Sequence, residues 1–213
     1  MRLLAWTPIV VGTDELARRQ ARYDRLSPAN VEIILRDLGA VSTSAPRSLE
    51  SEKDVRTSER AVVSAFRTSG SEGFDAFLPD CVLDPGIAAE GLARPILGLS
   101  HLAATFLAAQ GATIGALARN RAIADELDRR LASYAVKREP TLVMDLSFED
   151  VADDETWRRA VVAHAGRLTC DFAINACSAV ELGSPSTDTV VVDPTALSLR
   201  LLGLRAELAG AAA

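Results

Sequence analysis

The chain predicts an α/β fold of two pseudo-symmetric lobes, each a mostly parallel sheet flanked by helices, with a cleft between them. Three observations carry that expectation. Short apolar runs alternate with longer amphipathic ones, the pattern of parallel strands joined by helices. The order strand, helix, strand, helix, strand, cysteine, helix runs from Leu3 to Leu92 and again from Thr113 to Leu182. Cys81 and Cys177 fall at matching places in the two halves, 96 residues apart.

In the first half, strands are expected over Leu3–Thr7, Val31–Leu35, Phe74–Leu78 and Pro95–Leu97. Helices are expected over Asp14–Asp24, Ser51–Thr68, Ile87–Leu92 and His101–Ala109. In the second half, the strands are Thr113–Leu117, Thr141–Met144, Phe172–Ala176 and Thr189–Val192. The helices are Arg119–Ser133, Asp154–Leu168, Ser178–Leu182 and Pro194–Leu208. Several strand runs are continuously apolar, as in strands covered on both faces. The helix from Arg119 shows the clearest pattern. Ile123, Leu127 and Leu131 share one face, while Asp125, Asp128, Arg129 and Arg130 fill the other. Its start, Arg119-Asn120-Arg121, opposes the helix dipole and is read as a solvated surface rather than an anion site. The lobes divide as 1–108 plus 189–213 and 109–188, so the last strand and helix return to the first lobe. Ser184-Pro185-Ser186-Thr187 reads as a short turn, and Ala209–Ala213 as a frayed end.

Composition narrows the function. The 213 residues are 48% hydrophobic and 24% charged, enough for a substantial core. A net charge of -6, from 29 acids and 23 bases, gives no electrostatic case for nucleic acid or an anionic membrane. No apolar stretch reaches the roughly 20 residues of a membrane helix. Pro8 and Asp14 follow the apolar start too closely for a secretion signal. Three cysteines without a regular framework fit a reducing cytoplasm. Neither they nor His101 and His164 show metal-ligand spacing, so no metal is expected. Apolar helix faces leave room for a homo-oligomer.

The cysteines are the candidate chemistry. Each ends an apolar run and precedes helix-starting residues: Asp84-Pro85-Gly86 after Cys81, and Ser178 with Glu181 after Cys177. A helix N-terminus would lower a thiol pKa. One such cysteine is ordinarily a small buried hydrophobe. Their repeated placement reverses that reading and points to two thiols facing each other across one cleft. Ligands of open α/β sheets bind beyond the carboxyl ends of the strands. Two opposed thiols can remove a proton from one face of a carbon and return one to the other. Cys170 is read as packing at the end of a helix. Arg47 and Arg94 could hold a carboxylate, but surface roles are the commoner fate. Glu50 and Glu181 read as solvated acids and Trp6 as core.

Four passages resemble the aspartate/glutamate/hydantoin racemase superfamily, and within it the hydantoin and allantoin racemase branch. Phe74-Asp75-Ala76, leading to Cys81 and Asp84-Pro85-Gly86, is similar to that branch's strand and Cys-Phe-Gly-Asp-Pro-Gly motif. Pro95-Ile96-Leu97-Gly98-Leu99, with Ala103-Ala104 beyond, is similar to its Pro-Val-Val-Gly-Ile segment. Pro46-Arg47-Ser48-Leu49-Glu50-Ser51 resembles its Gly-Pro-x-Ser-Ile-Glu-Ser passage. Ala173-Ile174 leading to Cys177, then Val190-Val191-Val192-Asp193-Pro194, resembles its second cysteine and closing segment. Together they span nearly the whole chain.

The resemblance implies two α/β lobes and cofactor-independent racemisation of a small molecule, with Cys81 and Cys177 as the acid/base pair. It places Thr7, Ser48, Val82, Leu117 and Ser178 at substrate-binding positions. The chain also departs from the pattern. The usual Asn-Pro-Asn is Thr7-Pro8-Ile9, and a Val-Val-Thr-Thr strand is Ile114-Gly115-Ala116-Leu117. Phe-Gly after the first cysteine is Val82-Leu83, and Ala-Gly after the second is Ser178-Ala179. A more apolar cleft is expected, and with it a different choice of substrate. Two rivals remain: a cysteine-dependent isomerase or decarboxylase of the same superfamily, and a paralogue that binds a small ligand without catalysis.

Overall fold

A computed structural model describes residues 1–183 and 185–211. Seven strands and six α-helices alternate along it. The first half holds β1 (Arg2–Trp6), α1 (Thr13–Leu26), β2 (Glu32–Arg36), α2 (Glu52–Thr68), β3 (Ala76–Pro79) and α3 (Leu99–Ala108). The second holds β4 (Ile114–Ala118), α4 (Arg121–Ser133), β5 (Leu142–Val143), α5 (Asp154–Ala165), β6 (Phe172–Asn175), β7 (Val190–Val192) and α6 (Pro194–Ala211). No described helix is long and apolar enough to cross a membrane.

Both sheets are parallel, ordered β2-β1-β3 and β5-β4-β6-β7. The middle strands β1 and β4 are covered on both faces, which is why their sequences run apolar without alternation. Pro95–Leu97 is not a full strand. Ile96 makes one parallel bridge to Phe77, with Leu97 N donating to Phe77 O at 2.8 Å. That bridge lies where β7 lies in the second sheet, so the two sheets share one layout. The strand over 190–192 therefore joins the second lobe, against the expected 189–213 return to the first. The helix does return: Leu199 and Leu202 of α6 pack with Leu3, Leu35 and Leu78. α3 reaches the other way, with Ala104 and Leu107 against Ile114 and Ala116. The two lobes are thus joined through α3 and α6.

Caps explain several helix ends. At α2, Ser51 Oγ accepts from Asp54 N, and the Asp54 carboxylate accepts from Ser51 N, forming a capping box. α3 begins two residues before the expected His101 because Asp84, distant in sequence, supplies its cap. The Asp84 carboxylate accepts from Ser100 N at 3.1 Å and His101 N at 2.7 Å. Gly98 stands at the cap position itself, where a Cβ would lie 2.5 Å from Asp84 Cγ. At the chain's far end, α6 continues through Ala211, so Ala209–Ala211 are helical rather than frayed. Ala212 and Ala213 lie outside the described residues, as does Ser184 of the expected turn.

Cys170 lies in the loop after α5, not in the helix. It is buried with Trp157, Val161 and Leu168 in the second lobe's core. Cys170→Ala is expected to cost about 1 kcal/mol or less of stability and to leave the cleft's chemistry unchanged. Urea unfolding and thiol alkylation of the variant check both points.

Candidate active site

Each cysteine stands two residues beyond the end of its strand, Cys81 after Pro79 of β3 and Cys177 after Asn175 of β6. The carboxyl ends of the two sheets face each other there, and both thiols line one cavity of about 70 Å³. Pro8, Ile9, Leu49, Val82 and Leu83 close it from the first lobe. Ile123, Phe148, Val151, Ala176 and Ala179 close it from the second. Among the described residues, its only polar side chains besides the thiols are those of Arg19, Arg119 and Ser178. The rest of the lining is apolar apart from backbone groups.

The helices expected directly after the thiols are absent: 87–92 and 178–182 are turns and extended chain. After Cys81, left-handed backbone at Asp84 (φ 47°) and Gly86 (φ 80°) prevents a helix. After Cys177, tertiary partners take the polar groups a helix would need. Ser178 Oγ donates to Asp80 O at 3.0 Å, Arg22 donates to Val180 O at 2.9 Å, and Glu181 N donates to Asp154 at 3.1 Å. Among the described residues, no helix starts directly after either thiol to lower its pKa. Each receives one backbone N–H instead, from Leu83 to Cys81 Sγ at 3.5 Å and from Ala179 to Cys177. Burial outweighs these and pushes both thiols above their ordinary range.

Of the residues at expected binding positions, Val82 and Ser178 line the cavity, and Thr7, Ser48 and Leu117 do not. Thr7 is fully buried; its hydroxyl donates to Ile9 O at 2.8 Å and accepts from Leu38 N at 3.0 Å, holding the turn after β1. Leu117 packs in the second lobe's core. Ser48 supports the carboxylate of Glu50. Ser178 reaches the cavity with its proton already donated to the Asp80 carbonyl, so it ties the two cysteine turns together.

Sequence reasoning missed three charged residues. Arg19 is 5% exposed; its Nε bonds Glu15 Oε1 at 2.6 Å and an amino group bonds Asp80 Oδ2 at 2.9 Å. Tyr23 Oη donates to the other Asp80 oxygen at 2.8 Å. The signal was present in phase: Leu16, Arg19 and Tyr23 share one helical face, and Asp80 interrupts an apolar strand end. Arg119 is 3% exposed, against the expectation of a solvated helix start. It meets Glu50 through two nitrogens, at 3.0 and 2.8 Å, and lies 5.8 Å from the Phe148 ring. Hydrogen bonds from Arg119 hold Glu50 below the usual carboxylate range. Glu50, from the first lobe, is thus the anion at the α4 start, where Asn120 also donates to it at 3.0 Å. Glu181 is half-exposed and paired with Arg25, as a surface acid should be.

Two parallel α/β lobes with a thiol from each on a shared apolar cavity define a two-lobed, two-cysteine cleft protein. The chain shares its fold with solved racemases and an isomerase. It is similar to allantoin racemase from Klebsiella pneumoniae at TM-score 0.77 and 16% identity, over 98% of this chain and 89% of that one. It is similar to allantoin racemase from Pseudomonas fluorescens at TM-score 0.79 and 14% identity, over 98% and 92%. Maleate isomerase from Pseudomonas putida S16 shares the fold less closely, at TM-score 0.59 and 13% identity, over 96% and 92%. No family profile and no curated protein matches the sequence.

Proposed function

We propose that the chain is a cofactor-independent racemase or epimerase of a small molecule, inverting a carbon next to a carbonyl. One observation carries the reading: a thiol from each lobe lines the same small cavity. One thiol, as thiolate, removes the α-proton, and the other thiol protonates the opposite face. The enolate between those steps needs aimed donors, and the backbone N–H groups of the two cysteine turns are the nearest candidates. The resemblance to racemases in fold supports the same reading.

Charge favours an uncharged substrate. Both arginines of the cavity are already paired with protein carboxylates, Arg19 with Glu15 and Asp80, and Arg119 with Glu50. Neither guanidinium is left to neutralise a substrate carboxylate, and burying an unpaired one would be costly. A neutral carbonyl compound with an apolar substituent suits this lining better than an amino acid or a dicarboxylate. Allantoin, named for the two racemases of similar fold, belongs to the uncharged class.

Incubation with single enantiomers in deuterated water tests both statements, with NMR following the α-proton and polarimetry following configuration. Apolar-substituted hydantoins are expected to exchange and racemise together, while aspartate, glutamate and malonates remain inert. Racemisation of the dicarboxylates would overturn the charge argument. The protonated state that burial favours at both thiols supports a second reading, ligand binding without catalysis. Binding of a hydantoin with no exchange would establish that reading instead.

A further inference from the structure

The two cysteine turns match in backbone position and differ in charge. We infer that the thiol pair is built unequal: Cys177 carries the negative charge when one proton leaves the pair, Cys81 keeps its proton, and Arg19 is the positioning residue that fixes this order. The inference deepens the racemase reading and rests on it.

The asymmetry begins with one residue. Asp80 precedes Cys81, whereas Ala176 holds the equivalent place before Cys177. The Asp80 carboxylate is 1% exposed, and its charge disfavours the thiolate at both cysteines. Asp84, fully buried three residues on, adds a second carboxylate that disfavours a thiolate at Cys81. On its far side Arg130 is paired with Glu59 at 2.6 Å and Glu126 at 2.7 Å, so it brings no free positive charge. Removing a proton from Cys81 would place a third buried anion beside two carboxylates.

Cys177 faces α1 instead. Arg19 lines the cavity with both thiols, and Arg22, one turn on, is 4% exposed and hydrogen-bonded to Val180 O, three residues beyond Cys177. Arg22 pairs with Asp193, yet its Nε and one amino group have no hydrogen-bond partner among the described residues. Arg19 and Arg22 are themselves paired, with Glu15, Asp80 and Asp193, so the asymmetry lies in Asp84, a buried carboxylate whose place after Cys177 is taken by Val180, and in the unpartnered donors of Arg22. The ion pairs to Glu15 and Asp80 fix Arg19 in place, so its charge is pre-oriented rather than mobile. Burial raises both thiols and Asp80 adds to it at both; Arg19 and Arg22 counter it at Cys177, whereas Asp84 adds to it at Cys81.

The catalytic consequence is directional. The Cys177 thiolate takes the α-proton from its face and becomes a thiol, and the C–H electron pair passes into the enolate. The Cys81 S–H bond then gives its proton to the opposite face, leaving a Cys81 thiolate. Turnover of one enantiomer starts from the favoured charge state, and turnover of the other starts from the disfavoured one. The two directions should show unequal kcat and KM but equal kcat/KM, because enantiomers have equal free energies.

The test reads each thiol alone. Cys81→Ser/Cys170→Ala leaves Cys177, and Cys177→Ser/Cys170→Ala leaves Cys81. The pH dependence of alkylation by iodoacetamide gives each midpoint without any substrate. Cys177 is expected to ionise at least about one pH unit below Cys81, a tenfold difference in thiolate at a given pH. Arg19→Gln should raise the Cys177 midpoint, and Arg19→Lys, which keeps the charge, should largely preserve it. Should Arg19→Gln leave Asp80 unpaired and fail to fold, Arg19→Gln/Asp80→Asn removes the pair together and should narrow the gap. Equal midpoints, a reversed order, or a gap unchanged without Arg19 would overturn the inference. If the order holds while no substrate exchanges its α-proton, the charge asymmetry stands and the racemase reading falls.

Discussion

Cys81→Ser and Cys177→Ser are each expected to abolish racemisation while one enantiomer still exchanges its α-proton. Serine keeps the shape of the side chain, and both sites lie in turns held by other residues, so the fold should survive. Cys81 is anchored by Asp84 N donating to its carbonyl at 3.2 Å, and Cys177 by Asn175 donating to its carbonyl at 3.2 Å. The hydroxyl has far too high a pKa to replace a thiol as acid or base. A positioned acid or base contributes about 10²–10⁴-fold to a rate, and inversion needs both partners. In Cys81→Ser, the remaining Cys177 can take a proton and return a deuteron to the same face. Exchange then occurs without loss of optical activity, and only for the enantiomer whose proton faces Cys177. Cys177→Ser should show the mirror preference. Full racemisation by either variant, measured by polarimetry, would end the two-thiol mechanism.

Asp84→Ala is expected to destabilise the protein by about 3 kcal/mol near pH 5, the largest stability effect of a single site here. Asp84 accepts three hydrogen bonds, from Ser100 N, His101 N and Tyr134 Oη, the last at 2.7 Å. Those donors come from the α3 start and from the end of α4, so one carboxylate joins the Cys81 turn to both lobes. Truncation leaves all three donors, one buried and two part-buried, without their acceptor. For a chain of this length the midpoint of thermal unfolding should fall by about 6–12 °C. The loss should depend on pH, with a definite sign. Burial pushes Asp84 up from 3.8 to about 6, against the hydrogen bonds that favour its ionised form. A carboxyl with a raised native pKa favours folding most below its unfolded value, and that contribution fades as pH rises through about 6. The gap between wild type and Asp84→Ala should therefore narrow between pH 4 and 7. A gap that widens over that range would show that the hydrogen bonds outweigh burial.

The candidate site was legible in the sequence where the signal was local. An apolar strand with a cysteine two residues beyond it, repeated in both halves, located the thiols and the cleft. The same logic misjudged the segment after each thiol. Asp84-Pro85-Gly86 reads as a helix start, because Asp and Pro favour caps and first turns. In the folded chain Asp84 does cap a helix, but that helix is α3, fifteen residues further on. Capping preference shows in sequence; which helix receives the cap does not. Arg119 misled for the same reason. Beside Asn120 and Arg121 it looked solvent-facing, and only the loop at Leu49 and Glu50 from the other lobe makes it a buried, paired cation.

Alternating apolar runs and an internal repeat thus determined the two α/β lobes and the placement of a cysteine at each strand end, because periodicity and strand burial are properties of neighbouring residues. Tertiary structure alone decided that β7 joins the second sheet while α6 crosses to the first lobe. It decided that Thr7 and Leu117 turn away from the cavity and that Arg19 and Arg119 border it, each paired with a carboxylate. Those outcomes depend on contacts between segments tens of residues apart, where burial and charge pairing override what each segment prefers by itself.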